Sequence, residues 1–147
     1  MVCILLARRR PWSAPTVTPV KVVDASALGA LLFGEPEAEA VAGRLVDARL
    51  VAPPLLGFEL TNVCLKKSRR HPEQRSSLTA AFRLRTRLAV EEIDVDHDSA
   101  LELATATGLT AYDASYLWLT RQFGAELVTL DRQLAEAAES YRSTEAR

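Results

Sequence analysis

The sequence predicts an α/β fold, in which a three-layer α/β/α sandwich encloses a central parallel sheet of four to five short strands. The first indication is the alternation of short β-branched runs with longer segments of helical spacing. That order is typical of a parallel sheet with helices on both faces. The second indication is size, because 147 residues suit one domain that buries about two-thirds of its unfolded surface. The composition, 48% hydrophobic and 25% charged, is ordinary for a soluble globular protein.

The predicted strands are short runs rich in Val and Leu, and they cover residues 20–23, 50–52, 90–95 and 126–130. Segments with helical spacing lie between them and are separated by Gly34, His71-Pro72 and Gly108. These predicted helices cover residues 26–33, 36–48, 55–68, 73–88, 98–107, 111–123 and 132–141. Strand and helix therefore alternate from residue 20 to the last helix.

The two ends of the chain differ from this pattern. Pro11, Pro15 and Pro19 interrupt the first 20 residues, which predicts a disordered leader or a prefix added by a misplaced start codon. The folded domain is expected over residues 21–141, followed by a flexible tail over residues 142–147.

Charge is nearly balanced overall, at −1, but it is unevenly distributed. Eight basic residues and one acid lie between residues 66 and 87, and six acids with no Lys or Arg lie between residues 91 and 102. This asymmetry allows a local basic surface on a neutral protein. Two solvated helix faces of opposite sign explain it equally well.

Cysteine content and hydropathy indicate the compartment. Cys3 and Cys64 are too few and too far apart for a disulfide framework or a zinc site. No apolar run approaches the roughly 18 residues needed to span a bilayer. We therefore expect a cytoplasmic protein without a membrane segment.

Four acids in apolar sequence are the strongest functional signal. Asp24 and Asp131 follow the first and last predicted strands, Glu59 interrupts an apolar helical stretch, and Asp113 opens a helix. Acids on core-facing segments are unfavourable unless they are paired, hydrogen-bonded or bound to a cation. Ligands gather beyond the carboxyl ends of parallel strands. If the fold brings the four acids together there, a divalent metal site is the simplest explanation.

Three of these acids also have local explanations. Asp131 has the position of a helix N-cap, Asp113 has the outline of a capping box with Thr110, and Asp24 could accept hydrogen bonds from the turn that follows it. Glu59 has no such role as a mid-helix residue, and most of its neighbours one turn away are apolar. Asn62, one turn further along, could orient Glu59 or contact a metal-bound water.

The segments around these acids carry a family resemblance. They read VVDASAL at 22–28, FELTN at 58–62, GLTAYDA at 108–114 and LVTLDRQL at 127–134. In order and spacing, residues 21–140 resemble the PIN-domain ribonucleases, most closely the VapC toxins of bacterial toxin–antitoxin pairs. The leader departs from the family pattern, in which the chain usually starts just before the first strand.

The resemblance implies a metal-dependent endoribonuclease that a cognate antitoxin inhibits, with 5′-phosphate and 3′-hydroxyl products. Carboxylate-only ligation suits Mg²⁺ or Mn²⁺. We assign Asp24 and Asp113 as direct ligands, with Glu59 and Asp131 completing the site directly or through water. Without the metal, repulsion should make at least one of the four acids hold its proton more tightly.

Other residues are expected to support this centre. Ser26 and Thr129 would hold carboxylates in orientation. RNA would contact the basic stretch through Lys66, Lys67, Arg69, Arg70, Arg83 and Arg85. Apolar helices between residues 26 and 88 are consistent with an antitoxin surface or a homodimer interface, and also with core packing.

The alternatives are three other classes of protein. A haloacid dehalogenase phosphatase needs an Asp two residues after the first acid, where this chain has Ser26. A response-regulator receiver needs further acids near the first strand and a Lys after the last. An inactive PIN-fold module that only binds proteins is the remaining alternative, and loss of one of the acids would be its signature.

Overall fold

The computed structural model describes residues 17–145 and has a single four-stranded parallel sheet in that part of the chain. The strand order is β3-β2-β1-β4. Their bounds are β1 Val20–Val23, β2 Arg49–Ala52, β3 Glu91–Glu92 and β4 Glu126–Val128. The predicted α/β class is confirmed, with four strands.

Seven helices are described, and two of their links are 3₁₀ turns, at Pro72–Gln74 and Leu84–Leu88. The helices are α1 Ala25–Phe33, α2 Ala38–Leu45, α3 Leu56–Arg70, α4 Arg75–Arg83, α5 His97–Thr107, α6 Ala111–Phe123 and α7 Arg132–Glu145. Glycines in the left-handed conformation end α1, α5 and α6, at Gly34, Gly108 and Gly124. None of the helices in residues 17–145 is long and apolar enough to cross a membrane.

Strand order explains why helices cover both faces of the sheet. The steps from β1 to β2 and from β2 to β3 run in one direction across the sheet, and the step from β3 to β4 runs back. Because parallel crossovers are right-handed, the two directions place their helices on opposite faces. In agreement, α1 packs on α2, α3 and α4, whereas α6 packs on α5 and α7.

The core lies on both sides of the two central strands. Val22, Val23, Val51 and Val128 have no exposed surface, and the largest buried side chain is that of Tyr116. Each fully buried aliphatic side chain contributes about 1.5–3 kcal/mol. Burial therefore fixes β1 between β2 and β4 and fixes its register, in which Val23 pairs with Val128.

Several element bounds differ from the sequence-based prediction. The strand expected over 90–95 has two residues, both exposed glutamates. The helix expected over 73–88 consists of a 3₁₀ turn, α4 and a second 3₁₀ turn, and the chain reverses at Ala89 with φ 50°. The final helix continues to Glu145, four residues beyond its predicted end. Residues 1–16 of the expected leader lie outside the part of the chain that the structure describes.

The fold creates a ligand crevice between β1 and β4. The chain leaves β1 into α1 on one face of the sheet and leaves β4 into α7 on the other. The carboxyl ends of two such neighbouring strands form a topological switch point, where α/β proteins bind ligands. Asp24 and Asp131 follow these two strands.

Candidate metal centre

Asp24 is the buried centre of the acid group, with 6% of its surface exposed. It is the N-cap of α1, and its Oδ1 accepts hydrogen bonds from the Ala27 amide at 3.1 Å and the Ser26 hydroxyl at 2.7 Å. Thr129 Oγ1 donates to its Oδ2 at 2.7 Å. Burial raises the pKa of Asp24, against the opposing effect of these hydrogen bonds, and the negative charge of Asp131 adds to the rise.

Ser26 and Thr129 tie the loop after β4 to the loop after β1. The Leu130 amide donates to Ser26 Oγ at 2.9 Å, and the Asp131 amide donates to Thr129 Oγ1 at 3.0 Å. Each hydroxyl thus accepts a hydrogen bond from a backbone amide in the loop after β4 and donates one to the Asp24 carboxylate. The two strand ends and their acids are held in a fixed relation.

Glu59 lies in the first turn of α3, not in mid-helix as expected, because α3 begins at Leu56. A carboxylate in a first turn is favoured by the helix dipole. Its Oε2 accepts a hydrogen bond from the hydroxyl of Tyr116 at 2.5 Å. Burial, followed by the charges of Asp24 and Asp113, raises the pKa of Glu59 to about 7, although the Tyr116 hydrogen bond acts in the opposite sense.

Asp113 lies in the first turn of α6, which is capped by Thr110. The Thr110 hydroxyl accepts from the Asp113 amide at 3.1 Å and donates to Asp113 Oδ2 at 3.0 Å. The local capping relation expected from the sequence is therefore present. It uses one oxygen of the carboxylate.

Asp131 caps the last helix. Its Oδ1 accepts a hydrogen bond from the Leu134 amide at 2.8 Å, and its side chain is exposed. This is the N-cap interaction that the strand–Asp–helix junction predicts.

Electrostatic coupling connects the four acids in pairs. Asp131 acts on Asp24, and Asp24 and Asp113 both act on Glu59. Repulsion among the acids is expected to raise the pKa of at least one of them, and the pKa of Glu59 is raised. The larger cause there is burial, with repulsion second to it.

The donor chemistry fits a hard divalent cation. Among the described residues, no group donates to Glu59 Oε1, Asp113 Oδ1 or Asp131 Oδ2, and Asp24 Oδ2 accepts only one hydrogen bond. Each acid thus keeps an oxygen lone pair, and oxygen-only ligands suit Mg²⁺ or Mn²⁺. Within residues 17–145, no three His, Cys, Asp or Glu side chains are already grouped as a metal-binding cluster. The acids meet pairwise rather than as a preformed chelate.

Asn62 is not drawn into this group. It is exposed on α3, and its side chain forms no hydrogen bond with a described residue. It lies one helical turn from Glu59, which is the relation read from the sequence.

The basic residues fall into two sets. Lys67 forms an ion pair with Glu35 at 2.5 Å, and the Arg85 guanidinium lies 3.9 Å from the centroid of the Phe82 ring. The others are exposed: Lys66, Arg69, Arg70 and Arg83. Lys66 and Arg70 are seven and eleven residues beyond Glu59, so helical periodicity places them on the same side of α3 as Glu59.

Sequence reasoning missed Tyr116 as a partner of the acids. It was visible only as one apolar residue within α6. Its spacing of three residues from Asp113 puts both on one face of the helix, and that spacing could have identified it. Its contact with α3 could not be read from the sequence, because Glu59 is 57 residues away.

The comparisons with known proteins identify the family. The family model described as "PIN domain" matches residues 21–140. The chain belongs to the PIN-domain family. The curated protein Ribonuclease VapC3 of Pyrobaculum aerophilum is 35% identical over 120 residues, covering 78% of this chain and 92% of that protein. The relationship to VapC ribonucleases expected from the sequence is confirmed.

A solved structure supports the same fold assignment. The crystal structure of PAE2754 from Pyrobaculum aerophilum matches this PIN domain with a TM-score of 0.68 and 26% sequence identity. The match covers 88% of this chain and 97% of the other. The whole α/β/α architecture is therefore shared.

Proposed function

We propose that this PIN domain is a Mg²⁺- or Mn²⁺-dependent endoribonuclease that acts as the toxin of a toxin–antitoxin pair. The observation that carries the proposal is the pairwise electrostatic coupling of four acids near the carboxyl ends of the strands, each of which keeps an oxygen lone pair. The relationship to Ribonuclease VapC3 supports RNA as the substrate.

Each acid has a distinct part in the proposed mechanism. Asp24, fixed by Ser26 and Thr129, and Asp113, fixed by Thr110, would hold the cation. Glu59 and Asp131 would complete the site directly or through water. A bound divalent cation lowers the pKa of a bound water and neutralises charge on a phosphodiester.

RNA cleavage by the purified protein tests this function. Wild-type protein should cut total RNA in Mg²⁺ or Mn²⁺ and not in EDTA, and sequencing of the new 5′ ends would define the target. Asp113→Asn should lose cleavage. The matched control is Asp98→Asn, because Asp98 is an exposed acid in the first turn of the neighbouring helix α5. Equal cleavage by Asp113→Asn and wild type would contradict the assignment, and an inert wild type would favour a protein-binding module.

We also infer that the exposed basic residues on the Glu59 side of α3 bind the RNA backbone. Each phosphate contact that is lost should reduce the salt dependence of binding to single-stranded RNA by about 0.7 in log–log slope. Lys66→Gln and Arg70→Gln should each show this reduction. Arg142→Gln is the control, because the Arg142 side chain on α7 is 65% exposed. Unchanged slopes in both α3 variants would exclude this RNA path.

For the protein partners, we infer a homodimer and an antitoxin. Leu101, at 64% exposure, and Tyr112, at 67%, line a groove of about 490 Å³, and Phe58, three residues after the lining residue Leu55, is exposed to 82%. An apolar patch of this kind is typical of homodimer interfaces, so we assign a second copy of the chain to it. Only Phe58 lies within the region expected from the sequence to contact partners.

Sedimentation of the isolated protein tests the dimer. Wild type should sediment as a dimer, and Phe58→Ser with Leu101→Ser should shift it to a monomer that keeps its helical circular dichroism. A monomeric wild type would contradict the assignment. The antitoxin should suppress cleavage, with a basic side chain of its own meeting the free oxygens of the acids.

A further inference from the structure

Tyr116 is buried to 1% exposure, yet its hydroxyl is directed at the acid group. It donates to Glu59 Oε2 at 2.5 Å. The contact joins α6 to α3, two helices that enter the crevice from distant parts of the sequence.

Packing alone does not require this hydroxyl. A Phe ring would fill nearly the same space and would need no acceptor, whereas a buried hydroxyl is unfavourable unless it is hydrogen-bonded. The chain supplies that acceptor from Glu59, which the structure also couples to Asp24 and Asp113. Tyr116 is three residues after Asp113, so one face of α6 carries both a proposed ligand and the donor to another.

The hydrogen bond gives the two carboxylate oxygens of Glu59 different surroundings. Oε2 is occupied by the phenol, and Oε1 accepts from no described residue. A phenol is protonated near neutral pH, so Tyr116 is a hydrogen-bond donor to Glu59 there.

We propose that Tyr116 is a positioning residue that fixes Glu59 through Oε2 and so presents Oε1 to the divalent cation or to a water bound to it. Thr110 stands in the same relation to Asp113, since it occupies Oδ2 and leaves Oδ1. The role of Tyr116 rests on the proposed metal-dependent function.

Calorimetric titration of Mn²⁺ into the full-length protein tests the proposal without an activity measurement. Tyr116→Phe should weaken Mn²⁺ binding about 10-fold, the lower end of the loss seen when a partner that orients a ligand is removed. Tyr112→Phe is the matched control, because Tyr112 lies on the same helix with an exposed side chain, and it should bind Mn²⁺ like wild type.

A double-mutant cycle separates positioning from general packing. In a Glu59→Gln background, Tyr116→Phe should have no further effect on Mn²⁺ affinity, because the residue acts through the Glu59 carboxylate. Wild-type affinity in Tyr116→Phe, or equal weakening in both backgrounds, would overturn the proposal. No Mn²⁺ binding by wild type would instead overturn the proposed function and, with it, this role.

Carbon-13 NMR gives a second measurement that does not depend on the folding of Tyr116→Phe. The chain has 3 tyrosines, so the variant Tyr112→Phe/Tyr141→Phe leaves Tyr116 as the only one. Its ring Cζ resonance should shift when Mg²⁺ is added and should not shift when Asp24→Asn is also present. If Mg²⁺ binds but the Cζ resonance does not shift, the proposal is overturned.

Discussion

At the edge of the sheet where its strands begin, Glu126 is paired with two basic side chains. At the edge where the strands end, Asp24 and Glu59 have no Lys or Arg partner among the described residues. Arg44 donates to Glu126 through Nε at 3.1 Å and Nη2 at 2.7 Å, and Lys21 Nζ lies 3.0 Å from its other oxygen. Burial alone would raise the pKa of Glu126, but these cations outweigh it and lower that pKa.

This contrast shows that the sheet has two ways of keeping a carboxylate in or near its core. One end supplies cations from its own side chains. The other end supplies neutral hydroxyls from Ser26, Thr129 and Tyr116, which orient the acids without neutralising them. Acids that are oriented but left unpaired form the end of the molecule suited to an external cation.

The largest expected difference between the two ends is in RNA cleavage. Asp24→Asn keeps an oxygen that can accept from Ser26 and Ala27, so the fold should survive. The rate should nevertheless fall by at least about 100-fold, as when one electrostatic contact to a transition state is lost. Glu126→Gln should cleave at the wild-type rate. Similar rates in both variants would remove the functional distinction between the two ends.

The second difference is the pH dependence of stability without metal. Glu59 has a pKa of about 7 in the folded protein, against 4.5 as its ordinary value, so between these values the folded state binds more protons than the unfolded chain. The free energy of unfolding should therefore fall as the pH rises from about 4.5 to 7. The raised pKa of Asp24 acts in the same direction.

Urea denaturation in EDTA at several pH values measures this slope. Glu59→Gln should flatten the fall between pH 4.5 and 7. Glu126 has a lowered pKa, so the stability that its ionised form contributes is present above its unfolded pKa and is lost in acid. Glu126→Gln should therefore change the free energy of unfolding in the acid range and leave its slope between pH 4.5 and 7 unchanged. A wild-type slope that Glu59→Gln leaves unchanged would contradict the burial of this acid as the cause.

The smallest expected effect is on stability at the paired end. Glu126→Gln removes the charge that Lys21 and Arg44 share, but all three side chains are partly exposed to solvent. Such ion pairs contribute about 1 kcal/mol or less. Thermal unfolding at pH 7 should show a correspondingly small loss, and a loss several times larger would mean that this pair, and not core burial, holds β1 against β4.

Sequence reasoning predicted the parts of the molecule that depend on local pattern. Val20–Val23 and Ala111–Phe123 have their predicted bounds because a β-branched run and a Thr110 cap next to an apolar face are local signals. The short β3 was overestimated, since Glu91 and Glu92 pair only at the sheet edge beside β2. Where one edge strand stops depends on its neighbour and not on its own residues.

The acids themselves were identified from their apolar surroundings, but their partners were not all accessible in this way. Ser26 and Thr129 stand two residues from Asp24 and Asp131, so the sequence pointed to them. The Tyr116–Glu59 contact depends on how α3 and α6 pack across the crevice. The sequence also did not give the first residue of α3, so it did not show that Glu59 lies in the first helical turn.

Binding of Mn²⁺, followed by calorimetry or by thermal stabilisation, is the most direct test of the contrast between the two ends. Wild type and Glu126→Gln should bind Mn²⁺ alike and gain about 2.7 kcal/mol of stability when Mn²⁺ is at 100 times its dissociation constant. Asp24→Asn should lose both the binding and the gain. Equal Mn²⁺ binding by Asp24→Asn and wild type would contradict the account.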